Sequence, residues 1–292
     1  MKASLVVIFT FFALVAQAKI IDVQGHRGAR GNRPENTIPA FDFALEAGAD
    51  TLEMDLGITR DDQIVLNHDR TINPKRCQWD DGRPLEKPIL IHRLTLAEIK
   101  KLDCGSLRNP DFPHQILIPH TPIPTLDEIF ERYKDAKSKS GNLVKFNIET
   151  KISFWHPYDT VPPRRFSDLV LAKVYQHEML NRVVLESFDY RTLKAAKKIT
   201  PCIKISALTQ NPFENLAHTA HDLKAEYVSP RWNLLSLQDV EEVHREGAKV
   251  LPWIPNTMAQ WEHLVKMGVD AIISDYPQDL FNYLHQNEYV SY

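Results

Sequence analysis

The sequence predicts an α/β protein: a (β/α)8 barrel of the TIM type with a small insertion after its second strand. Two observations carry this expectation. Short β-type runs alternate with helical stretches along a chain of 292 residues, and strict alternation implies parallel strands joined by right-handed crossovers. Eight such units are the number that closes a barrel, whose chemistry sits at the C-terminal ends of the strands. The composition, 43% hydrophobic and 25% charged, excludes disorder and collagen-like order and permits a sizeable core. The length fits one barrel as well as two smaller domains.

The first residues read as an address. Lys2 gives a positive start, residues 5–16 are apolar except for Thr10, and Ala16-Gln17-Ala18 has the small-x-small form of a signal-peptidase site. The run is short of the roughly 20 apolar residues that a membrane span needs. We therefore expect a signal peptide at residues 1–18, export to the periplasm or medium, and a mature barrel over residues 19–292 without stable membrane insertion. The candidate strands that follow are residues 20–25, 51–57, 144–150, 182–187, 203–208, 226–229, 249–254 and 271–274. Between and after them lie helical stretches at 38–47, 125–136, 166–178, 190–198, 212–224, 237–245, 259–267 and 277–286. Ser236 and Thr257 supply start signals for two of these. Residues 70–124 break the rhythm, being rich in Pro and polar residues with one short helical piece at 94–102. A connection of this length is an inserted module or a functional loop, and it is read as a cap over the working face.

Export changes the reading of the cysteines, because an oxidising compartment permits a disulfide. Cys77 and Cys104 share the irregular stretch and are expected to pair. Cys202 opens the apolar run to Leu208 and is expected to be an inert core thiol. The balance of 35 basic against 38 acidic residues gives −3, so there is no global positive field for nucleic acid, and a small-molecule substrate is favoured.

Only ten glycines occur, and Gly25, Gly28 and Gly31 crowd the end of the first strand around His26 and Arg27. Glycine permits close approach of backbone to a ligand, and Arg can hold a phosphate with a fork of donors. On the second strand Glu53 and Asp55 are two apart, so both carboxylates share one face while Leu52, Met54 and Leu56 take the other. Carboxylates pointing into a closed interior are costly unless compensated. A hard divalent cation would compensate them, with Glu149 on the third strand as third ligand. Ion pairing with Arg27 or Lys151 is the alternative. His68 follows a short apolar strand, and His is suited to moving protons near neutral pH. Together these residues suit metal-assisted phosphoryl chemistry.

The segments His26-Arg27-Gly28-Ala29, Pro34-Glu35-Asn36-Thr37, Gly48-Ala49-Asp50, Glu53-x-Asp55, Thr59-x-Asp61 and His68-Asp69 resemble the glycerophosphodiester phosphodiesterase family. Glu149-x-Lys151, Ser187-Phe188, Trp253 and Ser274-Asp275-Tyr276-Pro277 continue the resemblance across the mature chain. It implies a (β/α)8 barrel, one divalent cation, Ca²⁺ or Mg²⁺, and hydrolysis of a glycerophosphodiester to glycerol 3-phosphate and an alcohol. It implies His26 and His68 as the acid and base pair, Glu53, Asp55 and Glu149 as metal ligands, and Arg27 and Lys151 as phosphate contacts. Glu35 is read as organising the first loop, and Trp253 as an apolar wall for glycerol. The chain departs from the family pattern after Asp69 and at Trp253-Ile254-Pro255-Asn256, around the expected substrate mouth. A phospholipase on a related barrel, of lysophospholipase D or phosphoinositide type, is the alternative enzyme reading. A silent binding protein on the same scaffold is the rival from another class.

Overall fold

Residues 20–290 are described in the computed structural model, so the leader reading at residues 1–18 lies outside the described residues. The chain runs β1 (Asp22–Gly25), α1 (Ile38–Ala47), β2 (Thr51–Ile58) and a short β3 (Ile64–Leu66) that returns antiparallel on β2. An irregular stretch then holds β4 (Thr71–Ile72), β5 (Gln78–Trp79), β6 (Ile89–Leu90), a 3-10 turn (Ile91–Arg93), α2 (Leu96–Ile99) and β7 (Leu102–Asp103). The alternation resumes with α3 (Leu126–Tyr133), β8 (Lys145–Thr150), α4 (Pro163–Gln176), β9 (Val183–Ser187), α5 (Tyr190–Ile199), β10 (Lys204–Thr209) and α6 (Leu216–Leu223). It finishes with β11 (Tyr227–Pro230), α7 (Leu237–Arg245), β12 (Lys249–Val250), α8 (Met258–Met267), β13 (Ala271–Ser274) and α9 (Pro277–Gln286).

Eight strands lie side by side in the order β12-β11-β10-β9-β8-β2-β1-β13. Their pairings are parallel. Trp253 closes the circle, bridging to Arg231 on one side and Ile273 on the other. The result is the expected barrel with an insertion after its second strand. Every residue of β2 is buried, as a strand covered on both faces must be. Its apolar set, Leu52, Met54 and Leu56, joins the core between strands and helices. The polar set faces inward.

The helices start where the sequence provides caps. Thr125, Ser236 and Thr257 each accept from the amide three residues on, and Glu128, Asp239 and Gln260 reach back to complete capping boxes. Each box satisfies donors that the first helical turn leaves open.

Several boundaries shift. The ladder of β12 ends at Val250 rather than residue 254, because Pro252 has no amide hydrogen to donate. The helix expected from Pro212 begins at Leu216, where Asn215 caps the His218 amide at 2.8 Å. The helical piece expected at 94–102 shortens to α2, and its last residue, Leu102, opens β7 instead. Cys202 corrects the core-thiol expectation: it is exposed, in a turn where the Ile203 amide donates to Thr200, and β10 starts only at Lys204.

The inserted stretch forms two small sheets, β4 with β6 and β5 with β7, over its own core of Val65, Ile72, Leu85, Ile91, Ile99 and Leu102. Cys77 and Cys104 form a disulfide beside the β5–β7 pair. Gln115 donates to the carbonyls of Arg30 and Arg33 at 2.7 Å each, and Phe112 packs edge-on to Tyr276. The stretch is thereby fastened to the loops after β1 and β13, at the C-terminal ends of the barrel strands.

Candidate active site

The first site residues come from the turn that ends β1. Gly28 has φ +84°, and a Cβ there would lie 2.6 Å from the Ala40 carbonyl carbon, so only glycine lets this loop rest on α1. Arg27 also takes a left-handed φ of 50°, a conformation that costs a non-glycine residue roughly 1–3 kcal/mol and persists only where its surroundings hold it. Those surroundings are acids. Its amide donates to Glu53 Oε2 at 2.6 Å, and its guanidinium donates to Glu35 at 2.9 Å and lies 3.2 Å from Asp55. Glu35 is also held by Arg76 of the insertion, which donates in turn to Asp69 at 2.7 Å.

Glu53 and Asp55 project from the inner face of β2, and Asp55 lies in register with Glu149 on β8. One oxygen from each of the three buried carboxylates falls within 4.8 Å of the others. Lys151 lies 2.6 Å from Glu149 and 3.1 Å from Asp55. The ion pairs that the sequence left as an alternative are therefore present, and the convergent triad is present with them. They do not balance it. A fourth buried acid, Glu186, lies in register with Glu149 on β9, and its Oε2 has no hydrogen-bond partner.

The titrations divide accordingly. Burial works to raise Asp55, but Lys151 and Arg27 outweigh it and hold its carboxyl well below the usual range. Burial, then repulsion from Asp55 and Glu186, pushes Glu53 well above it. Glu149 is raised mainly by burial. Burial, with Glu149 adding to it, carries Glu186 up to about 8. A positive charge among these oxygens would relieve what holds Glu53 up. Oxygen-only donors suit a hard cation of the Mg²⁺ or Ca²⁺ type, so Glu53, Asp55 and Glu149 could hold such a metal ion.

Two histidines flank the acids, each oriented by its own aspartate. His26 Nδ1 lies 2.6 Å from Asp275 Oδ1, and its Nε2 faces Glu53 at 3.9 Å. Arg30 and Asn256 hold Asp275 at 2.7 Å each. Burial, then Arg27 and Arg30, lowers His26 to about 4 despite Asp275. His68 Nδ1 lies 2.9 Å from Asp69, whose carboxyl that contact and Arg76 lower to about 2. With Nδ1 engaged, Nε2 is the nitrogen each ring has left for exchanging a proton.

Both rings line a cavity of about 70 Å³ with Arg27, Glu53, Glu149, Lys151, Glu186 and Trp253. His68, Glu149, Lys151 and Phe188 also line a wider cleft of about 400 Å³. Trp253 donates from its indole to the Ser229 carbonyl at 3.0 Å and meets Phe188 edge-on at 5.5 Å, so one apolar wall stands beside the acids. The eight residues expected from sequence are thus brought together. Asp275, Asn36 and Glu186 were not assigned to the site. Asn36 donates to Asp55 Oδ2 at 2.8 Å. The signal for Asp275 and Glu186 was polarity at or just beyond a strand end, whereas Asn36 lies in the turn that leads into α1.

A closed parallel barrel with an acid triad, two histidines and two cations at its strand C-terminal ends defines a barrel enzyme of phosphoester chemistry. Residues 26–279 match the family model of the glycerophosphoryl diester phosphodiesterase family. The chain belongs to that family. It is 32% identical over 266 residues to the glycerophosphodiester phosphodiesterase of Caldanaerobacter subterraneus, covering 89% of this chain and 96% of that protein. A crystal structure from Silicibacter pomeroyi superposes with a TM-score of 0.85 at 28% identity, over 94% of this chain and 95% of that one. The fold is shared with an Oleispira antarctica phosphodiesterase solved with its product sn-glycerol-3-phosphate, with a TM-score of 0.74 at 24% identity, covering 91% of this chain and 97% of that one.

Proposed function

We propose that the chain hydrolyses glycerophosphodiesters to glycerol 3-phosphate and an alcohol, with His26 and His68 as its acid and base pair. The observation that carries this reading is the two aspartate-oriented histidines lining one cavity with Glu53 and Glu149 of the acid triad, Arg27 and Lys151. Glu53, Asp55 and Glu149 would hold one divalent cation, Ca²⁺ or Mg²⁺. Bound there, the ion would supply Lewis-acid neutralisation of charge on the phosphoryl group. Arg27 and Lys151 would contact the remaining phosphate oxygens, and their pairing with Glu35, Asp55 and Glu149 aims both cations at one place. One imidazole accepts the nucleophile's proton while the other gives a proton to the departing alkoxide. Trp253, with Phe188, would wall the glycerol moiety.

The residue 1–18 leader and the Cys77–Cys104 bridge support an exported enzyme, since disulfides persist in oxidising compartments. We place the mature barrel at residues 19–292 with the inserted cap at about 70–124, in the periplasm or the medium. Glycerol 3-phosphate release from glycerophosphocholine, compared with lysophosphatidylcholine micelles, tests the substrate class. Turnover confined to the micelles would favour the phospholipase reading instead.

A further inference from the structure

We propose that Glu186 sets specificity for glycerol esters over simple alkyl esters, its carboxyl receiving the glycerol hydroxyl farthest from phosphorus. The inference rests on the proposed function and concerns the part of the substrate to which that reading gives no polar partner. Glu186 is the penultimate residue of β9 and stands level with Glu149 on β8. Val183 and Leu185 of the same strand join the core under the helices, so by strand period Glu186 faces the barrel interior. It is 2% exposed, and its Oε2 has no hydrogen-bond partner. Lys151 is engaged by Asp55 and Glu149 instead, and Ser206, level with Glu186 on β10, gives its hydroxyl to Ser229. A buried oxygen left open in this way is costly unless a ligand meets it.

The surroundings of that oxygen select the ligand. Of the polar side chains lining the 70 Å³ cavity, the proposed reaction engages the two histidines, Arg27, Lys151, Glu53 and Glu149, and the Trp253 indole is given to Ser229. Glu186 is the one that remains. Beside it the lining turns apolar, with Phe188 next in the chain but one and Leu208 on the neighbouring strand, β10. A short carbon chain resting on this wall with a hydroxyl turned to Glu186 leaves neither group unpaired. A cation is the poorer occupant, because the carboxylate oxygens that converge within 4.8 Å are those of Glu53, Asp55 and Glu149, without Glu186. Position picks the hydroxyl. Arg27 and Lys151 both bear on Asp55 of β2, and β9 lies beyond β8 from that strand, so Glu186 meets the far end of a substrate held by its phosphate. A site built around a substrate hydroxyl rejects the analogue that lacks it, since its own polar group is then left without a partner.

Kinetics on two diesters test this: glycerophosphocholine, and the phosphocholine ester of propane-1,2-diol, which lacks only the far hydroxyl. Wild type should prefer the first by roughly 10–100-fold in kcat/KM, the worth of one hydrogen bond to a charged group. Glu186→Leu should erase most of that preference, and Glu186→Gln, which keeps an acceptor oxygen, should restore part of it. A merely structural Glu186 would slow both diesters alike in the variants and leave the preference intact. Equal turnover of the two diesters by wild type, a comparison that needs no variant, would overturn the proposal, as would full preference in Glu186→Leu. A raised Ca²⁺ or Mg²⁺ requirement in both variants with the preference intact would place Glu186 on the ion and overturn it equally. Wild type inactive on both diesters would remove the hydrolase reading itself, and the proposal with it.

Discussion

His26 and His68 meet the barrel from different directions, yet each gives Nδ1 to an aspartate and keeps Nε2 for the cavity. A proton relay between attacking and leaving oxygens needs both. Replacing either with Ala should lower kcat by roughly 10²–10⁴-fold while circular dichroism stays native; near-normal turnover in either variant would remove it from the pair. The acids make a separate prediction, read in metal-free protein. Glu186, raised from 4.5 to about 8, keeps in the folded state a proton that the unfolded chain has released. Its stabilisation is complete below pH 4.5 and is lost as pH rises through 8, with Glu53 acting in the same direction. His26, lowered from 6.5 to about 4, acts oppositely, so its stabilisation is present above pH 6.5 and lost as pH falls through 4. The two trends oppose one another below pH 6.5, which leaves Glu186 dominant between 6.5 and 8. In chelator, stability should fall across that window, by about 2 kcal/mol from Glu186 alone, and Glu186→Gln should make the fall smaller. Denaturant melts at the two pH values check this, and parallel falls in both proteins would contradict it. At this scale the sequence was legible where residues are near neighbours: Glu53 and Asp55 share a face by strand period alone. The partner of His26, Asp275, lies 249 residues away, and no local pattern announces it.

Strands and helices were legible through the same periodicity, and their ends through proline and cap chemistry. α1, α7, β13 and α9 fall at their expected bounds. Register was not legible. That Asp55 stands level with Glu149, and Glu149 with Glu186, follows from the stagger of neighbouring strands, which alternation within one strand does not encode. Cys202 was misplaced because an apolar run carries no mark of where its ladder begins. The insertion was visible only as a break in rhythm, since its paired strands of two residues each are too short to show a period. Its cysteines are 27 residues apart, and closing such a loop stabilises by about 3–4 kcal/mol through the unfolded chain. Cys77→Ser/Cys104→Ser should therefore lower denaturant stability by an amount of that order. Because Arg76 ties the insertion to Glu35 and Asp69, catalysis should weaken before the barrel unfolds. A variant with unchanged melting would detach the bridge from stability.

The whole molecule carries net negative charge and takes an anionic substrate under the proposed function, so the attraction must be local. Arg27 and Lys151 supply part of it, but they are already engaged by Asp55 and its neighbours. What remains is the excess of buried carboxylate, which a divalent cation would convert from a repulsive surface into an attractive one. The barrel holds that excess in place: β1, β2 and β8 bring both cations and all three acids to one end of the sheet, and the helices outside bury the other face of each strand. The most direct test is release of glycerol 3-phosphate from glycerophosphocholine by protein treated with chelator, then given Ca²⁺ or Mg²⁺. We predict loss of turnover on chelation, recovery with at least one of the two ions, and no recovery in a Glu53→Gln/Asp55→Asn variant. Full turnover in chelator, or rescue of that variant to the wild-type rate, would contradict the account.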